Sequence, residues 1–393
     1  MTFEQLKAQE SQYVMNTYGR FPIALDHGEK SVLWDVEDKR YVDMTSGIGV
    51  CSVGYNNDKI ISVITEQAHK LMHVSNLFTT EPMVKTAKTL VESTGMGKVF
   101  FSNSGAESNE GAIKLARKYS FDKYGKGRSK IITLVNSFHG RTITTLNATG
   151  QEKFHQYFFP FTEGFDYAAA NDIEDLKSKI DDTTCAVMME LIQGEGGVLP
   201  LDKEFVKKVE TICNEKDLLL IIDEVQTGIG RTGSLFCFQQ YDIKPDVVTM
   251  AKGLGGGVPI GAVMASKKCC DVLGVGMHAT TFGGTPTVCA AANAVLDIVN
   301  NDEFLAEVNK KGEYIKQGIL AIGSDKITDV RGMGLMIGII VDADKRAEYV
   351  NECIANGLLV LTAGTNTIRL LPPLTISYEE LDEAISIFKK VFA

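Results

Sequence analysis

Short apolar runs that do not alternate recur through the first two-thirds of the chain. They are Lys98–Phe101, Lys130–Val135, Cys185–Met189, Leu218–Ile222 and Asp246–Met250, each bounded by turn-forming residues. Leucine-rich or β-branched runs of this length, without a period of two, predict strands buried on both faces of a parallel sheet. Between several of them lie patterns of helical period, such as Glu107–Phe121, with Ala112, Leu115, Ala116 and Tyr119 on one face. Strand–helix alternation predicts an α/β sheet with helices on both sides, and places ligand chemistry just beyond the carboxyl ends of the strands. Residues 31–45 alternate instead, which predicts a hairpin with Glu37 and Asp38 near its turn. From about Thr287 the texture changes to a long helix (Val288–Asn300), a charged mixed segment and the amphipathic Tyr378–Phe392. The expected organisation is an N-terminal segment (1–48), a large domain (49–286) and a smaller C-terminal α/β domain (287–393).

Composition narrows what such a fold does. The 393 residues are 44% hydrophobic and 23% charged, with 40 basic against 50 acidic side chains, a net charge of −10. That field disfavours nucleic acid and anionic membrane as partners, and it means that any anion must be met by a few placed arginines. The eight cysteines (Cys51, Cys185, Cys213, Cys237, Cys269, Cys270, Cys289, Cys353) show no C-x-x-C spacing and stand near no histidine pair. Neither a disulfide framework nor a metal site is expected, and reduced thiols fit a cytoplasmic protein. The opening MTFEQLKAQESQ has no apolar stretch, and no run approaches 18 apolar residues, so neither a signal peptide nor a membrane span is expected.

The chemistry should then lie where strands end. Asp223 closes the run 218–222, and 29 positions on, after the next strand, Lys252 stands in Ala-Lys-Gly-Leu-Gly-Gly-Gly. An aspartate at a strand end more often caps a helix, and a lone lysine is usually a solvated side chain. Small neighbours, however, let another group approach Lys252 closely. An amine needs burial or charged neighbours to become a nucleophile near neutral pH. A lysine and an aspartate on adjacent strand ends are what pyridoxal-5′-phosphate (PLP) requires: the carboxylate keeps the pyridine nitrogen protonated and the lysine moves the proton. Ser102-Asn103-Ser104-Gly105-Ala106-Glu107 follows another strand and opens a helix, either a simple cap or a cradle of N–H groups for a phosphate. In Ser137-Phe138-His139-Gly140-Arg141-Thr142, Phe138 is either core or a flat surface for a ring. Arg141 is either a surface charge or a carboxylate ligand.

SGAESNE (104–110), SFHGRT (137–142), QGEGGV (193–198), LLIIDEVQTGIGRTG (219–233), AKGLGGGVPIGA (251–262), TTFGG (280–284) and TAGTNTIRLLPP (362–373) together resemble the class III, fold-type I aminotransferases. The likeness spans nearly the whole chain in order. Within that class YGRFPIAL (18–25), SGIGV (46–50), HVSNLF (73–78), TGIGRTG (227–233) and GLLVLTAG (357–364) are most similar to bacterial acetylornithine aminotransferases. The resemblance implies a fold-type I homodimer with PLP bound in its large domain, Lys252 as the Schiff-base lysine and Asp223 as the pyridinium partner. It further implies cofactor contacts from Ser104, Gly105, Ala106, Phe138, Glu224, Val225 and Gln226, with Thr281 supplied by the second subunit. Arg141 and Thr280 would meet the substrate, and Glu195 with Arg369 would form the class's switch pair. The implied reaction takes an amino group from N2-acetyl-L-ornithine to 2-oxoglutarate, through pyridoxamine phosphate in two half-reactions, in arginine biosynthesis.

Some positions depart from the class pattern. Leu191 stands where proline is usual, Thr285 where asparagine is, Thr280 replaces a serine, and Tyr55-Asn56-Asn57 replaces a histidine-containing turn. The first three bear on the donor, so ornithine, succinylornithine, N-succinyl-diaminopimelate and 4-aminobutyrate stay open beside acetylornithine. A fold relative of other PLP chemistry, a mutase or decarboxylase, is the next alternative. Gly228–Gly233 also fits G-x-G-x-x-G, the dinucleotide fingerprint. It begins five residues after its strand instead of in the turn, and no strand ending in an acidic residue follows about 20 positions on.

Overall fold

The computed structural model describes residues 1–393. Its centre is a seven-stranded sheet of β1 (Lys98–Ser102), β2 (Lys130–Leu134), β3 (Phe165–Ala168), β4 (Thr184–Met189), β5 (Leu219–Asp223), β6 (Val247–Met250) and β7 (Gly261–Ala265). The spatial order is β3-β2-β4-β5-β6-β7-β1, parallel throughout except for β7, which runs against both of its neighbours. Alternate residues enter different cores. Val187, Met189, Leu220, Ile222, Val248 and Met250 belong to a cluster of 73 buried residues on one face, and Ala186, Met188, Leu219, Ile221 and Val247 to one of 16 on the other. Both faces are therefore apolar, and that is why the strands read as unbroken hydrophobic runs.

The smaller core is closed by α1 (Gly105–Tyr124), whose Ala112, Leu115, Ala116 and Tyr119 are buried in it. This helix starts two residues before the periodic pattern because Ser104 caps it, its hydroxyl accepting the Glu107 N–H at 3.2 Å. In the same way β5 runs one residue further than its apolar run, since Asp223 still pairs with Thr249.

A second sheet lies in the C-terminal third: β8 (Ile327–Met333), β9 (Met336–Val341), β10 (Leu361–Ala363) and β11 (Thr367–Leu370), in the order β8-β9-β11-β10. The N-terminal hairpin pairs Val32–Asp35 with Arg40–Asp43, and Leu358–Leu359 from the far end of the chain adds to it in parallel. Helix Pro286–Val299 packs on Asp58–Lys70 and Glu81–Thr94, tying the two halves of the chain together. No helix is long and apolar enough to cross a membrane.

Candidate active site

A cavity of about 480 Å³ opens at the carboxyl ends of the parallel strands. Its floor comes from the carboxyl ends of β4, β5 and β6: Glu190 just beyond β4, Asp223 closing β5 and Lys252 just beyond β6. Its walls include Val50, Phe138, Val225, Gln226 and Val258, and one end is the start of α1 at Ser104, Gly105 and Ala106. There the backbone N–H groups of the first helical turn have no intrahelical acceptor and face an anion's position. A methyl group on Gly105 would lie 2.6 Å from Cγ1 of Val225, so glycine is required for these two walls to close on a thin group.

Asp223 is buried and held by three donors. Asn109 Nδ2 donates to its Oδ2 at 2.8 Å, His139 Nδ1 donates to the same oxygen at 2.8 Å, and the Val225 N–H donates to Oδ1 at 3.0 Å. An ionised carboxylate only accepts, so this geometry fixes the proton of His139 on Nδ1. Lys252 has a positive φ of 42°, a conformation that an L-residue adopts at some expense and that strained functional positions often show. Burial lowers its ammonium below the ordinary value, and the charge of Arg369 adds to the effect. Beside them Glu190 accepts the Phe138 N–H at 2.9 Å, and burial pushes its carboxyl up to about 7.

The opposite side is built differently. Arg369 on β11 is 3% exposed, and its Nη1 donates to Glu195 Oε1 at 2.6 Å and to Gln226 Oε1 at 3.1 Å, while its buried Nε has no partner. Glu195 keeps 32% of its side chain accessible. Burial works to raise the Glu195 carboxyl, but the charge and hydrogen bond of Arg369 outweigh it and hold the group below its ordinary range. Arg141 stands exposed at the mouth, its guanidinium 4.1 Å from the ring centroid of Phe154 and 5.6 Å from that of Phe138, and it forms no ion pair within the chain.

Most residues singled out in the sequence thus meet around one cavity: Ser104, Gly105, Ala106, Phe138, Arg141, Asp223, Val225, Gln226 and Lys252 line it, and Glu195 and Arg369 adjoin it through Gln226. Glu224 is a correction. Its side chain turns away into the core, where it accepts from Thr227 Oγ1 at 2.6 Å and from the Phe238 N–H at 2.8 Å, because successive residues leave a strand on opposite sides. Thr280 stands one residue removed, accepting from Asn103 Nδ2 at 3.0 Å, and Thr281 is exposed and lines no part of this chain's cavity. The fingerprint-like Gly228–Gly233 is packed inside the protein, with Ile229, Arg231 and Thr232 buried, and offers no open turn for a pyrophosphate.

Three polar cavity residues escaped the sequence reading: Asn109, His139 and Glu190. Glu190 carried a signal, since it follows an apolar strand as Asp223 does, and the pairing of Ile222 with Met189 sets the two acids side by side. No group of three His, Cys, Asp or Glu side chains is close enough to hold a metal ion. The donor set suits a flat ring with an anionic arm: N–H groups at one end, a fixed carboxylate at the other, an amine between them and apolar walls on the faces.

Comparison with known proteins agrees with this geometry. Residues 13–392 match the family model described as aminotransferase class-III. The chain is 49% identical over 395 residues to the acetylornithine aminotransferase of Haemophilus ducreyi, covering 100% of both chains. It is 49% identical over 386 residues to that of Caldanaerobacter subterraneus, covering 98% of each. Among solved structures, the ornithine aminotransferase of Toxoplasma gondii superposes with a TM-score of 0.96 at 31% identity, covering 100% of this chain and 95% of that one. The acetylornithine aminotransferase of Elizabethkingia anophelis gives 0.89 at 34% identity, covering 100% and 99%.

Proposed function

The chain belongs to the class-III aminotransferases, and on that footing we propose that it transfers the distal amino group of N2-acetyl-L-ornithine to 2-oxoglutarate, with PLP on Lys252. The observation that carries the chemistry is the clamped Asp223 beside the buried Lys252 on neighbouring strand ends. The donor rests on the relatives of 49% identity, which are acetylornithine aminotransferases over their full length.

The residues present fit PLP: the start of α1 suits its phosphate, Phe138 and Val225 its faces, and Asp223 its ring nitrogen. When bound, PLP supplies an electron sink that takes up the donor's amino group and passes it to the keto acid. The protein's own share is positioning and proton movement. Asp223 holds negative charge at a fixed point, oriented by Asn109, His139 and the Val225 N–H. Lys252, its ammonium destabilised by burial, takes and returns a proton at Nζ. Arg141, unpaired at the mouth, would hold the α-carboxylate of acetylornithine. Glutamate enters with two carboxylates, and Arg369 would hold the second once Glu195 moves off it.

We propose further that two copies share the site, with Thr281 of each facing the phosphate of the other. Residues 71–78 pack against 280–285, with His73 Nδ1 2.7 Å from Thr285 Oγ1 and Asn76 Nδ2 donating to the Gly283 carbonyl at 2.6 Å. Around them Met72, Leu77, Phe78 and Phe282 are exposed, an apolar patch of the kind that a second copy covers. A half-reaction panel tests the proposal, following the cofactor's visible absorbance as each amine is added. Acetylornithine should discharge it faster than ornithine, succinylornithine or 4-aminobutyrate. If another amine is fastest, the donor is reassigned within the class, and if no colour binds at all, the assignment of the site is wrong.

A further inference from the structure

The segment Gly228–Gly233, which looks like a nucleotide-binding turn in the sequence, has a different task in the fold. A methyl group on Gly233 would fall 2.0 Å from Oδ1 of Asn309, so the turn packs at closest approach on the helix Asp302–Leu320. In the middle of this turn Arg231 is 2% exposed and touches no carboxylate. Its Nη1 donates to the carbonyls of Leu335 at 3.0 Å and Pro372 at 2.6 Å, and its Nη2 to Ser46 Oγ at 3.4 Å. A fully buried guanidinium spent on two main-chain oxygens and a serine is expensive to desolvate, so what it holds in place should matter.

What it holds is a strained loop. Ser46, Gly47, Ile48 and Gly49 have φ of 42°, 62°, 64° and 78°, a left-handed run through two non-glycine residues, one of them β-branched. Such a conformation is strained for each of those two residues and persists only where the surroundings over-determine it. The surroundings do so here. Asp43 accepts the N–H groups of Thr45 and Ser46 at 2.8 and 2.9 Å and the Tyr55 hydroxyl at 2.8 Å. Ser46 Oγ donates to the Leu371 carbonyl at 2.6 Å, and the Leu371 N–H returns a bond to Met44 at 2.7 Å. The loop then delivers Val50 to the cavity wall, and Ser52 Oγ donates to the Gly253 carbonyl at 3.1 Å, next to Lys252.

The two ends of this chain of contacts are the functional ones. Leu371 and Pro372 directly follow β11, which carries Arg369, and Gly253 directly follows Lys252. We infer that Arg231, acting through Ser46, is a positioning residue that sets the distance between the substrate-binding Arg369 and the amine of Lys252. Burial pushes the Asp43 carboxyl up and the Arg231 guanidinium down to about 9, in keeping with two buried charges that meet only through Ser46.

The inference rests on the proposed function, and the experiment separates the two. Ser46→Ala, Arg231→Lys and Arg231→Met would be prepared as holoenzymes and compared with the parent by bound-cofactor absorbance, thermal midpoint, and KM and kcat for acetylornithine and 2-oxoglutarate. Ser46→Ala removes one hydroxyl from the relay and leaves every other named contact. It should bind cofactor fully yet raise the KM for 2-oxoglutarate about tenfold, more than that for acetylornithine, because the dicarboxylate alone uses Arg369. Arg231→Lys should fall between Ser46→Ala and Arg231→Met, since an ammonium can serve some of the three acceptors. If Arg231→Met does not fold, Ser46→Ala and Arg231→Lys decide. Parental KM values in both, or kcat losses that merely follow the folded fraction, would overturn the inference and leave Arg231 as a brace. A parent that binds no cofactor would overturn the proposed function instead.

Discussion

The two sides of the cavity are built to opposite specifications. Around Asp223 three donors converge on one buried carboxylate, and each of them (a helix residue, a loop histidine and a main-chain N–H) is anchored by its own packing. Around Arg369 the donors outnumber the acceptors: one nitrogen is shared between Glu195 and Gln226, another has no partner, and Glu195 is open to solvent on one side. The first arrangement gains nothing from movement, whereas the second has a spare donor that an incoming carboxylate can use. A chemical step common to both half-reactions calls for a fixed electrostatic environment. Two substrates with different charges call for an exchangeable one. The contrast separates these demands in space, with the constant part at the ends of the central sheet and the variable part where Arg369 of the second sheet meets Glu195, in the segment between Gln193 and Leu199.

The largest test of the fixed side is Lys252→Ala. Steady-state transamination should fall by on the order of 10⁴-fold or more, with the fold retained, because the remaining residues offer no amine at that point. Turnover near the parental rate would dissolve the distinction at its root. Asp223→Asn comes next: it keeps the shape but removes the charge that the three donors orient. A loss on the order of 10²–10³-fold in kcat is expected, with a smaller loss of cofactor affinity seen on dialysis. A kcat within a fewfold of the parent, with cofactor bound, would show that the clamp is structural.

The exchangeable side predicts a smaller and more selective effect. Glu195→Ala uncovers Arg369, so glutamate should gain on acetylornithine as amino donor by about tenfold in the ratio of half-reaction efficiencies, the equivalent of ~1.4 kcal/mol, at the low end for a charged hydrogen bond. An unchanged ratio with a lowered thermal midpoint would make the pair a permanent brace. The smallest effect on activity concerns Glu224, whose carboxyl burial pushes up to about 7. Its folded pKa lies above the unfolded value, so the native state binds the extra proton, and the stability it contributes below pH ~4.5 is lost as pH rises through about 7. Glu224→Gln should flatten that decline by on the order of 1–3 kcal/mol in denaturant titrations at pH 5 and pH 8. An equal slope in parent and variant would mean that Glu224 titrates normally and that the buried acids near Asp223 are less constrained than the geometry indicates.

The strands and the cofactor-side residues were legible because apolar runs and the small residues around Lys252 are local signals. The position of Glu224 was not, since resemblance assigns a string of neighbours while a strand sends alternate side chains to opposite sides. Asn109 was hidden within an otherwise regular helix, and His139 stood inside a recognised motif without an assigned role. Their shared partner lies 114 and 84 residues away, a pairing that only the fold creates. The Arg231 clamp was concealed for another reason: its sequence context matched an unrelated fingerprint, and the contacts that matter are to main-chain oxygens, which carry no sequence signal.

The place of β1 has a consequence for synthesis. This strand leads into the start of α1, yet its only sheet partner is β7, the last strand of that sheet to leave the ribosome. At a translation rate of about 5–20 residues per second, the interval between them is roughly 10–30 s, during which β1 and the start of α1 have no sheet edge to join. The end of the cavity lined by Ser104, Gly105 and Ala106 is therefore the last part of the sheet layer that a nascent chain can complete. A growing polypeptide should acquire the ability to retain the cofactor only after Ala265 has emerged, late and in a single step.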